Sequence, residues 1–303
     1  IHPNLELEIR EEENYFFKWS KYQKPLLDLY EKNPELVVPG FRFNEIKAFV
    51  ERGLQDFSIS RLKAKMSWGV PVPDDENHVM YVWFDALVNY ISTLGWPEDV
   101  QNFEKFWIKG TPVQYAGKDN LRQQSAMWQA MLMSAGLPNT HTIVIDGFIT
   151  SGGQKMSKSL GNVINPYDIV EEYGTDALRY YLLREISSFE DGDMTLESFK
   201  EAYNANLANG LGNLVSRIMK MASDNLDTPV KIPEEWENNA IIHEYLDKFE
   251  VSKAMDHIWL NIGLIDKTIQ EEQPFKIVKI DKEKGKKMIK ELVNRLHAVA
   301  HTL

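Results

Sequence analysis

Cysteine is absent from all 303 residues. Disulfides and thiolate metal sites are therefore excluded within the chain. Positive charge is in short supply: 34 Lys and Arg stand against 45 Asp and Glu, for a formal net charge of −11 and a pI near 5.2. A protein that binds polyanions over its whole surface would be basic, so any nucleic-acid contact has to be local and shape-dependent. No stretch approaches the roughly 18 consecutive apolar residues of a membrane span, and nothing has the order of a signal peptide. The expectation is a soluble, cytoplasmic protein with no membrane partner. Internal repeats and long low-complexity tracts are missing. So is an initiator methionine: "IHPNLELEIREEENYFFKWSKYQ" reads as the middle of something, and a piece of a longer protein is expected.

What is present is enough apolar material, 43% of residues, for roughly two or three domains. Residues Tyr15 to Phe57 carry helical spacings in "YQKPLLDLYEKNP" and "NEIKAFVERGLQD", with a helix start at Asn44–Glu45 and an end near Gly53. From Ile59 to Gly147 the pattern alternates. "HVMYVWF", "TPVQYAG" and "HTIVIDGF" are strand candidates; "DALVNYISTLG" and "LRQQSAMWQAMLMSAG" between them are helical. Strands alternating with helices predict a parallel sheet in an α/β domain. Beyond "NPYDIVEEYG" almost every segment is helical, Pro229 and Pro233 punctuate a linker, and Met255, Ile258, Ile262, Ile265 and Ile269 form one helical face. The final third reads as a helix bundle.

Three constellations carry chemistry. In "AGKDN", Ala116 to Asn120, a strand ends, Gly117 turns the chain, and Asp119 stands where a helix begins. Asp119 is a good helix cap, and at the carboxyl end of a parallel strand its carboxylate can also accept both hydroxyls of a ribose. In "YVWFDALVNYI", Trp83, Ala86, Leu87 and Tyr90 have helical spacing. Such a stripe is ordinary core, or it is the wall of a small apolar pocket for one side chain. Asn120, Gln124 and Trp128, four apart on the next helix, could close that pocket. The third is "GGQKMSKSLGN", Gly152 to Asn162. It is a solvated loop, or glycines supply mobility while Lys155 and Lys158 supply charge that follows a phosphate. The Walker A pattern is absent. All three are expected at the carboxyl edge of one sheet, where they describe a site that joins a nucleotide to a small apolar molecule.

"KMSKS", Lys155 to Ser159, is the signature of class I aminoacyl-tRNA synthetases. Together with "SISR", "WGVPVP", "HVMYVWFDAL", "GKDNLR", "INPYDIVEEYGTDALRYYLLRE" and "NLVSR", it makes the chain resemble the methionyl-tRNA synthetases almost throughout. The resemblance implies an α/β fold, the C-terminal part of a Rossmann-type parallel sheet, followed by an all-α helix bundle. It implies boundaries as well: 1–57 as the helical end of a connective insertion, 58–150 as the second Rossmann half, 151–200 as the lysine loop and stem-contact region, and 201–303 as the anticodon-binding bundle. Methionine would meet Trp83, Ala86, Leu87 and Tyr90. The ATP ribose would meet Gly117 and Asp119. Lys155, Ser157 and Lys158 would stabilise pyrophosphate in the catalytic step, and Arg61 would support the active site. Asn213 and Arg217, with Phe275, would read the anticodon of methionine tRNA, initiator and elongator.

Departures from the family pattern are equally specific. The His-Ile-Gly-His signature, the first Rossmann strands and the zinc knuckles would all precede Ile1. A missing N-terminal catalytic half is therefore the expected partner, and no zinc site is expected in this chain. Gln124 stands at a usual histidine, Leu87 at a common proline and Phe275 at a common tryptophan. The resulting expectation is ATP-dependent, Mg²⁺-assisted activation of methionine and its transfer to tRNA, with the fragment alone inactive. The alternatives are a non-catalytic tRNA-binding relative and a class I synthetase for another apolar amino acid.

Overall fold

The computed structural model describes residues 11–157, 159–232 and 240–303. Lys158 and Pro233 of the sequence reading lie outside the described residues. The chain divides into two compact units between Asp146 and Gly147.

The first unit begins with β1 (Phe16–Phe17) and α1 (Gln23–Lys32), then β2 (Val37–Val38) and α2 (Gly40–Glu51). β3 (Phe57–Ser58), β4 (Ser60–Leu62), β5 (Pro71–Val72) and β6 (Asp75–Met80) follow, then the short helices α3 (Trp83–Ala86), α4 (Asn89–Ser92) and α5 (Val100–Phe103). β7 (Val113–Gly117), α6 (Trp128–Ser134) and β8 (Thr142–Asp146) complete it. β2, β8 and β7 form a parallel sheet in that order, with Val37 beside Ile143 and Gly117 beside Asp146. β8 is central and buried from Thr142 to Ile145, as expected of a parallel strand covered on both faces. Leu26, Tyr30, Ile46, Val50, Leu121, Trp128, Leu132 and Ile143 belong to the same core.

Three local expectations fail here. α2 starts at Gly40, after Pro39 in extended conformation, so Asn44 and Glu45 lie a turn inside the helix rather than at its start. The preceding Val37–Val38, inside a stretch expected to be helical, is a sheet strand. "HVMYVWF" does not join the parallel sheet. It contributes to β6, which pairs antiparallel with β4 and β5, and the strand stops at Met80. Val82 then turns the chain with φ of +31°, a strained value for a β-branched residue, into α3.

The second unit opens with a hairpin of β9 (Ile149–Ser151) and β10 (Gln154–Lys155). Gly152 and Gly153 both have positive φ, +62° and +72°, the requirement of a two-residue hairpin turn whose twist matches its strands. α7 (Pro166–Tyr173) is capped by the Asn165 side chain, with Pro166 at its first position. α8 (Thr175–Arg184) and β11 (Gly192–Asp193) follow, and β11 pairs parallel to β9. α9 (Leu196–Ala202), which starts at a Thr195 capping box, runs through a π-helical stretch, Tyr203–Gly212, into α10 (Asn213–Asn225). α11 (Ala240–Asp247), α12 (Val251–Glu272), α13 (Pro274–Ile280) and α14 (Lys282–Thr302) make the bundle.

The predicted stripe is the core: Ile258, Ile262, Ile265 and Ile269 of α12 are buried against Leu214, Ile218, Ile289 and Leu292, with Met255 packed beside them. Gly285 permits α13 and α14 to meet, since a Cβ there would lie 2.2 Å from Val278 Cα. Among the described residues no helix is long and apolar enough to cross a membrane. The architecture is thus the expected one, part of a Rossmann-type parallel sheet and a helix bundle.

Candidate functional site

The predicted apolar pocket lies in the first unit, on a backbone more broken than its sequence spacing implies. "DALVNYISTLG" forms two four-residue turns, α3 and α4, not one helix. Leu87 is buried in the core, Trp83 and Tyr90 are half-buried against it, and Ala86 is exposed.

The opposite wall is also irregular. A tight turn at Lys118–Asn120 leads to a π-type turn at Gln123–Met127 and then α6. A π turn releases a carbonyl from the usual ladder and often marks a functional position. Here the buried Tyr30 hydroxyl donates to Ser125 O at 2.7 Å, and burial pushes its pKa well above the ordinary phenol range. The amide of Gln129, fully buried, donates to Gln124 O and Thr140 Oγ1, both at 3.0 Å, and accepts from Thr140 N and Asn139. Thr140 Oγ1 passes the chain on to Gln114 at 2.7 Å. This Gln129–Thr140–Gln114 network, which no motif announced, locks the helix that carries Gln124.

The consequence is a specific cluster. Gln124 Nε2 donates to the Tyr90 hydroxyl at 2.8 Å. The Tyr90 ring lies 6.0 Å from that of Trp128, tilted by 48°, and Trp128 meets Trp107 edge-on at 6.3 Å. Gln124 and Trp128 are 4% and 2% exposed. Yet Gln124 Oε1 and Trp128 Nε1 find no hydrogen-bond partner among the described residues. Buried polar atoms are normally satisfied, so one acceptor and one donor here are held ready at a cost. Of the predicted pocket, Tyr90, Gln124 and Trp128 come together, and Leu87 and Trp83 belong to the same larger core or pack against it. Asn120 instead donates to Asp119 Oδ1 at 3.4 Å.

At the carboxyl end of the parallel sheet, Gly117 ends β7 in extended conformation and stands where a cap would, so Asp119 lies within the first turn. Its alternative role as a simple helix cap is not realised. Beside Gly117, at the end of β8, is Asp146, whose carboxyl is pushed up to about 6 by burial. It closes a strand whose three central residues are apolar, a signal carried by "TIVID" in the sequence. Arg61, also of this unit, donates to Ser58 Oγ and Ser60 O, both at 2.7 Å, and lies 3.9 Å from the Tyr81 ring. It pins the turn between β3 and β4.

In the second unit Lys155 closes β10, its ammonium 4.2 Å from the Phe148 ring. The two glycines of the preceding turn take the positive φ that a tight hairpin turn requires. The end of the loop is tied as well: Asn162 accepts from Ser157 N at 2.9 Å and donates to Lys155 O at 3.3 Å. The Ser157 hydroxyl lies 3.1 Å from that of Ser159 and accepts from Leu160 N.

The bundle contains a cleft of about 1150 Å³ in which Asn213, Arg217 and Phe275 all take part, with Lys220, Trp259 and Lys279. Phe275 is 41% exposed and so is not a residue of the bundle core. It rides the first turn of α13, fixed by Pro274 and by a left-handed Gln273. Arg217 is not an open fork. Its guanidinium donates to Asp266, whose other oxygen accepts from Gln270 at 2.5 Å. The lysine-rich 276–290 stretch is mostly exposed, but Lys286 is drawn to Asp227 at 2.5 Å, which raises its pKa. A cleft lined by aromatic, amide and guanidinium groups can stack and hydrogen-bond unpaired bases. Among the described residues no cluster of His, Asp or Glu could hold a metal ion.

Comparison with known proteins agrees with this geometry. The tRNA synthetases class I (M) family matches residues 3–219. A Methionine--tRNA ligase of Fusobacterium nucleatum subsp. nucleatum is 40% identical over 93% of this chain and 46% of its own length. Its counterpart from Thermosynechococcus vestitus is 50% identical over 73% of this chain and 42% of its own. The solved Mycobacterium tuberculosis methionyl-tRNA synthetase in complex with methionyl-adenylate superposes with a TM-score of 0.84 at 36% identity, over 97% of this chain and 59% of that one. The chain spans about half the length of the curated relatives it matches.

Proposed function

The chain belongs to the class I tRNA synthetases of type M, and on that premise we propose that the whole protein is a methionine–tRNA ligase of the cytoplasm. It would activate methionine with ATP and transfer it to methionine tRNA, initiator and elongator. The methionine carboxylate attacks the α-phosphate in line and pyrophosphate leaves. The 3′-terminal ribose hydroxyl of the tRNA then attacks the adenylate carbonyl, releasing AMP. Catalysis of the first step is chiefly positioning and charge stabilisation.

The observation that carries this reading is the Tyr90–Gln124–Trp128 cluster. A thioether is flexible, polarizable and a weak acceptor, and it suits aromatic walls and a single hydroxyl donor. Gln124 donates to the Tyr90 oxygen, which leaves the phenolic proton available for the sulfur. Trp83, Ala86 and Leu87 would complete the methionine pocket, and Asn120 its rim.

Gly117 and Asp119 would take the ATP ribose. Lys155, Ser157 and Lys158 would take the pyrophosphate. Magnesium would arrive on the nucleotide phosphates and supply neutralisation of their charge, and zinc is not expected in this chain. Asn213, Arg217 and Phe275 would read the anticodon from the bundle cleft. The proposed division assigns 1–57 to the end of a connective insertion, 58–150 to the second Rossmann half, 151–200 to the lysine-loop and stem-contact region, and 201–303 to the anticodon bundle. The partner half of the catalytic domain would lie N-terminal, so this chain alone should not activate methionine.

The test is amino-acid-dependent ATP–pyrophosphate exchange by the full-length protein with a panel of apolar amino acids. Exchange confined to methionine supports the reading. Exchange with another apolar amino acid would favour the relative suggested by Gln124 and Leu87. No exchange with any amino acid, but binding of tRNA, would favour a non-catalytic relative.

A further inference from the structure

The hairpin that carries Lys155 is too small to place a side chain by itself. Its strands are two and three residues long, and an isolated two-stranded hairpin is at best marginally stable in water. Something must hold it. The sequence "DGD", Asp191 to Asp193, lies outside every motif identified above, yet all three residues are bonded to the hairpin or to its leading residue.

Asp191 Oδ1 accepts from Phe148 N at 3.0 Å, and the Phe148 ring lies under the Lys155 ammonium. Gly192 N donates to Phe148 O at 2.9 Å. A Cβ at Gly192 would come within 2.8 Å of Ile186 Cγ2, so a larger residue there would force Ile186 to move. Asp193 Oδ1 accepts twice, from Thr150 Oγ1 at 2.7 Å and from Gly153 N at 2.8 Å. Thr150 is the cross-strand partner of Lys155, and Gly153 is half of the turn. One oxygen of one carboxylate thus joins the strand opposite Lys155 to the turn that leads into it.

The two bonds are charge-assisted and correspondingly strong. They also hold the Asp193 carboxyl below its ordinary range, the Gly153 amide contributing most, so the clasp is ionised throughout the neutral region. Two residues beyond it, Thr195 caps α9, which fixes the clasp to a helix rather than to a loose segment.

We infer that Asp193 is a positioning residue for the phosphate loop: its carboxylate sets the register of the Gly152–Gly153 turn and thereby the place of Lys155. The inference rests on the reading of Lys155 as the group that meets pyrophosphate. It assigns to Asp193 no contact with substrate. A misplacement of about 1 Å in a positioning element is enough to cost on the order of 10²-fold. Loss of two hydrogen bonds to a turn that keeps its backbone pairing should cost less, on the order of 10-fold.

The experiment is methionine-dependent pyrophosphate exchange by the full-length protein, wild type and variants. Asp193→Ala should lower kcat on the order of 10-fold and leave the methionine KM within about twofold. Asp193→Asn retains an Oδ1 that can accept both bonds, and should recover to within about threefold of wild type. Lys155→Ala should lower kcat strongly. Adding Asp193→Ala to Lys155→Ala should then cost less than about twofold more, because a residue that acts through Lys155 has nothing left to place.

Fully additive losses, or an Asp193→Asn variant as poor as Asp193→Ala, would overturn the inference. If Asp193→Ala does not fold, Thr150→Val removes one of the two bonds at constant shape. It should lower kcat on the order of threefold, and an unchanged kcat would again overturn it. Wild-type protein without exchange, or Lys155→Ala with wild-type exchange, would instead bring down the functional reading on which the inference stands.

Discussion

Gln124→Leu separates stability from function, because the two effects of the amide in this pocket have opposite signs. Nε2 donates to the Tyr90 hydroxyl at 2.8 Å, and Oε1 has no hydrogen-bond partner among the described residues. A neutral hydrogen bond contributes about 0.5–1.5 kcal/mol net, whereas a buried polar atom without a partner costs about 1–3 kcal/mol. Leucine is close in size and removes both. The balance runs from a loss of about 0.5 to a gain of about 2.5 kcal/mol, with a gain of about 1 at its centre. A gain of that size corresponds to a rise of about 2–4 °C in Tm. Turning the amide over does not rescue the account: Oε1 would then accept from Tyr90, and Nε2 would be the buried orphan.

The functional effect runs the other way. Without the donor from Gln124, the Tyr90 hydroxyl no longer has its proton directed by a fixed neighbour. The expected outcome in the full-length protein is a methionine KM raised on the order of 10-fold, corresponding to about 1.4 kcal/mol, with kcat little changed, since the interaction serves ground state and transition state alike. Discrimination against norleucine, which has a methylene in place of the sulfur, should fall in parallel. Thermal unfolding and pyrophosphate exchange measured on the same preparations check both halves. A Gln124→Leu protein that melts several degrees lower and keeps its methionine KM would refute the reasoning, and would make Gln124 a structural residue of the core.

Asp146 keeps its proton to about pH 6 in the folded chain against an ordinary value of 3.8, so the folded state binds more protons between those values and stability falls as pH rises through that window. Asp146→Asn should therefore raise Tm more at about pH 7.5 than at about pH 4.5 in thermal melts, and an equal shift at both would contradict the burial argument. Gly285→Ala places a Cβ 2.2 Å from Val278 Cα, and backbone cannot swing aside as a side chain can. A loss of at least about 1–3 kcal/mol is expected in denaturant titration, and no loss would show that α13 and α14 can part without cost. Phe275→Ala should lower stability by no more than about 1–2 kcal/mol, because the ring is 41% exposed. It should nevertheless reduce discrimination between methionine tRNA and an anticodon-swapped tRNA in filter binding, and unchanged discrimination would remove Phe275 from the proposed reading surface.

Periodicity made the long elements legible, because a helix of many turns repeats its apolar spacing often enough to be recognised. The α12 stripe from Ile258 to Ile269 and the buried run of β8 are such cases. It failed where elements are too short to repeat. Val37–Val38 is a two-residue strand whose identity comes from the β8 residues beside it, Ile143 and Val144. β6 was legible as a strand, but not as an antiparallel one, since alternation along a strand carries no information about its neighbour. The break between α3 and α4 was hidden for a related reason: Trp83, Ala86, Leu87 and Tyr90 satisfy helical spacing whether or not the backbone remains one helix.

The candidate sites show the same division on a longer scale. Residues whose chemistry is concentrated in a short motif, such as Lys155 with Ser157 or Gly117 with Asp119, could be named from the sequence. The groups that orient them come from far away in the chain. Tyr90 is 34 residues from Gln124, Asp193 is 40 from Gly153, and Asp266 is 49 from Arg217. Each is an ordinary polar residue in its own neighbourhood, and its role appears only when folding brings the partner to hydrogen-bond distance. For Arg217 this changes the chemistry expected of it. A guanidinium already bonded to Asp266 has some of its donors committed and its plane fixed, so in the proposed anticodon contact it would give up freedom to gain orientation. Asp266 would thereby influence what the cleft is proposed to read, without belonging to any motif. Gln270, bonded to the other carboxylate oxygen, limits how far that pair can turn.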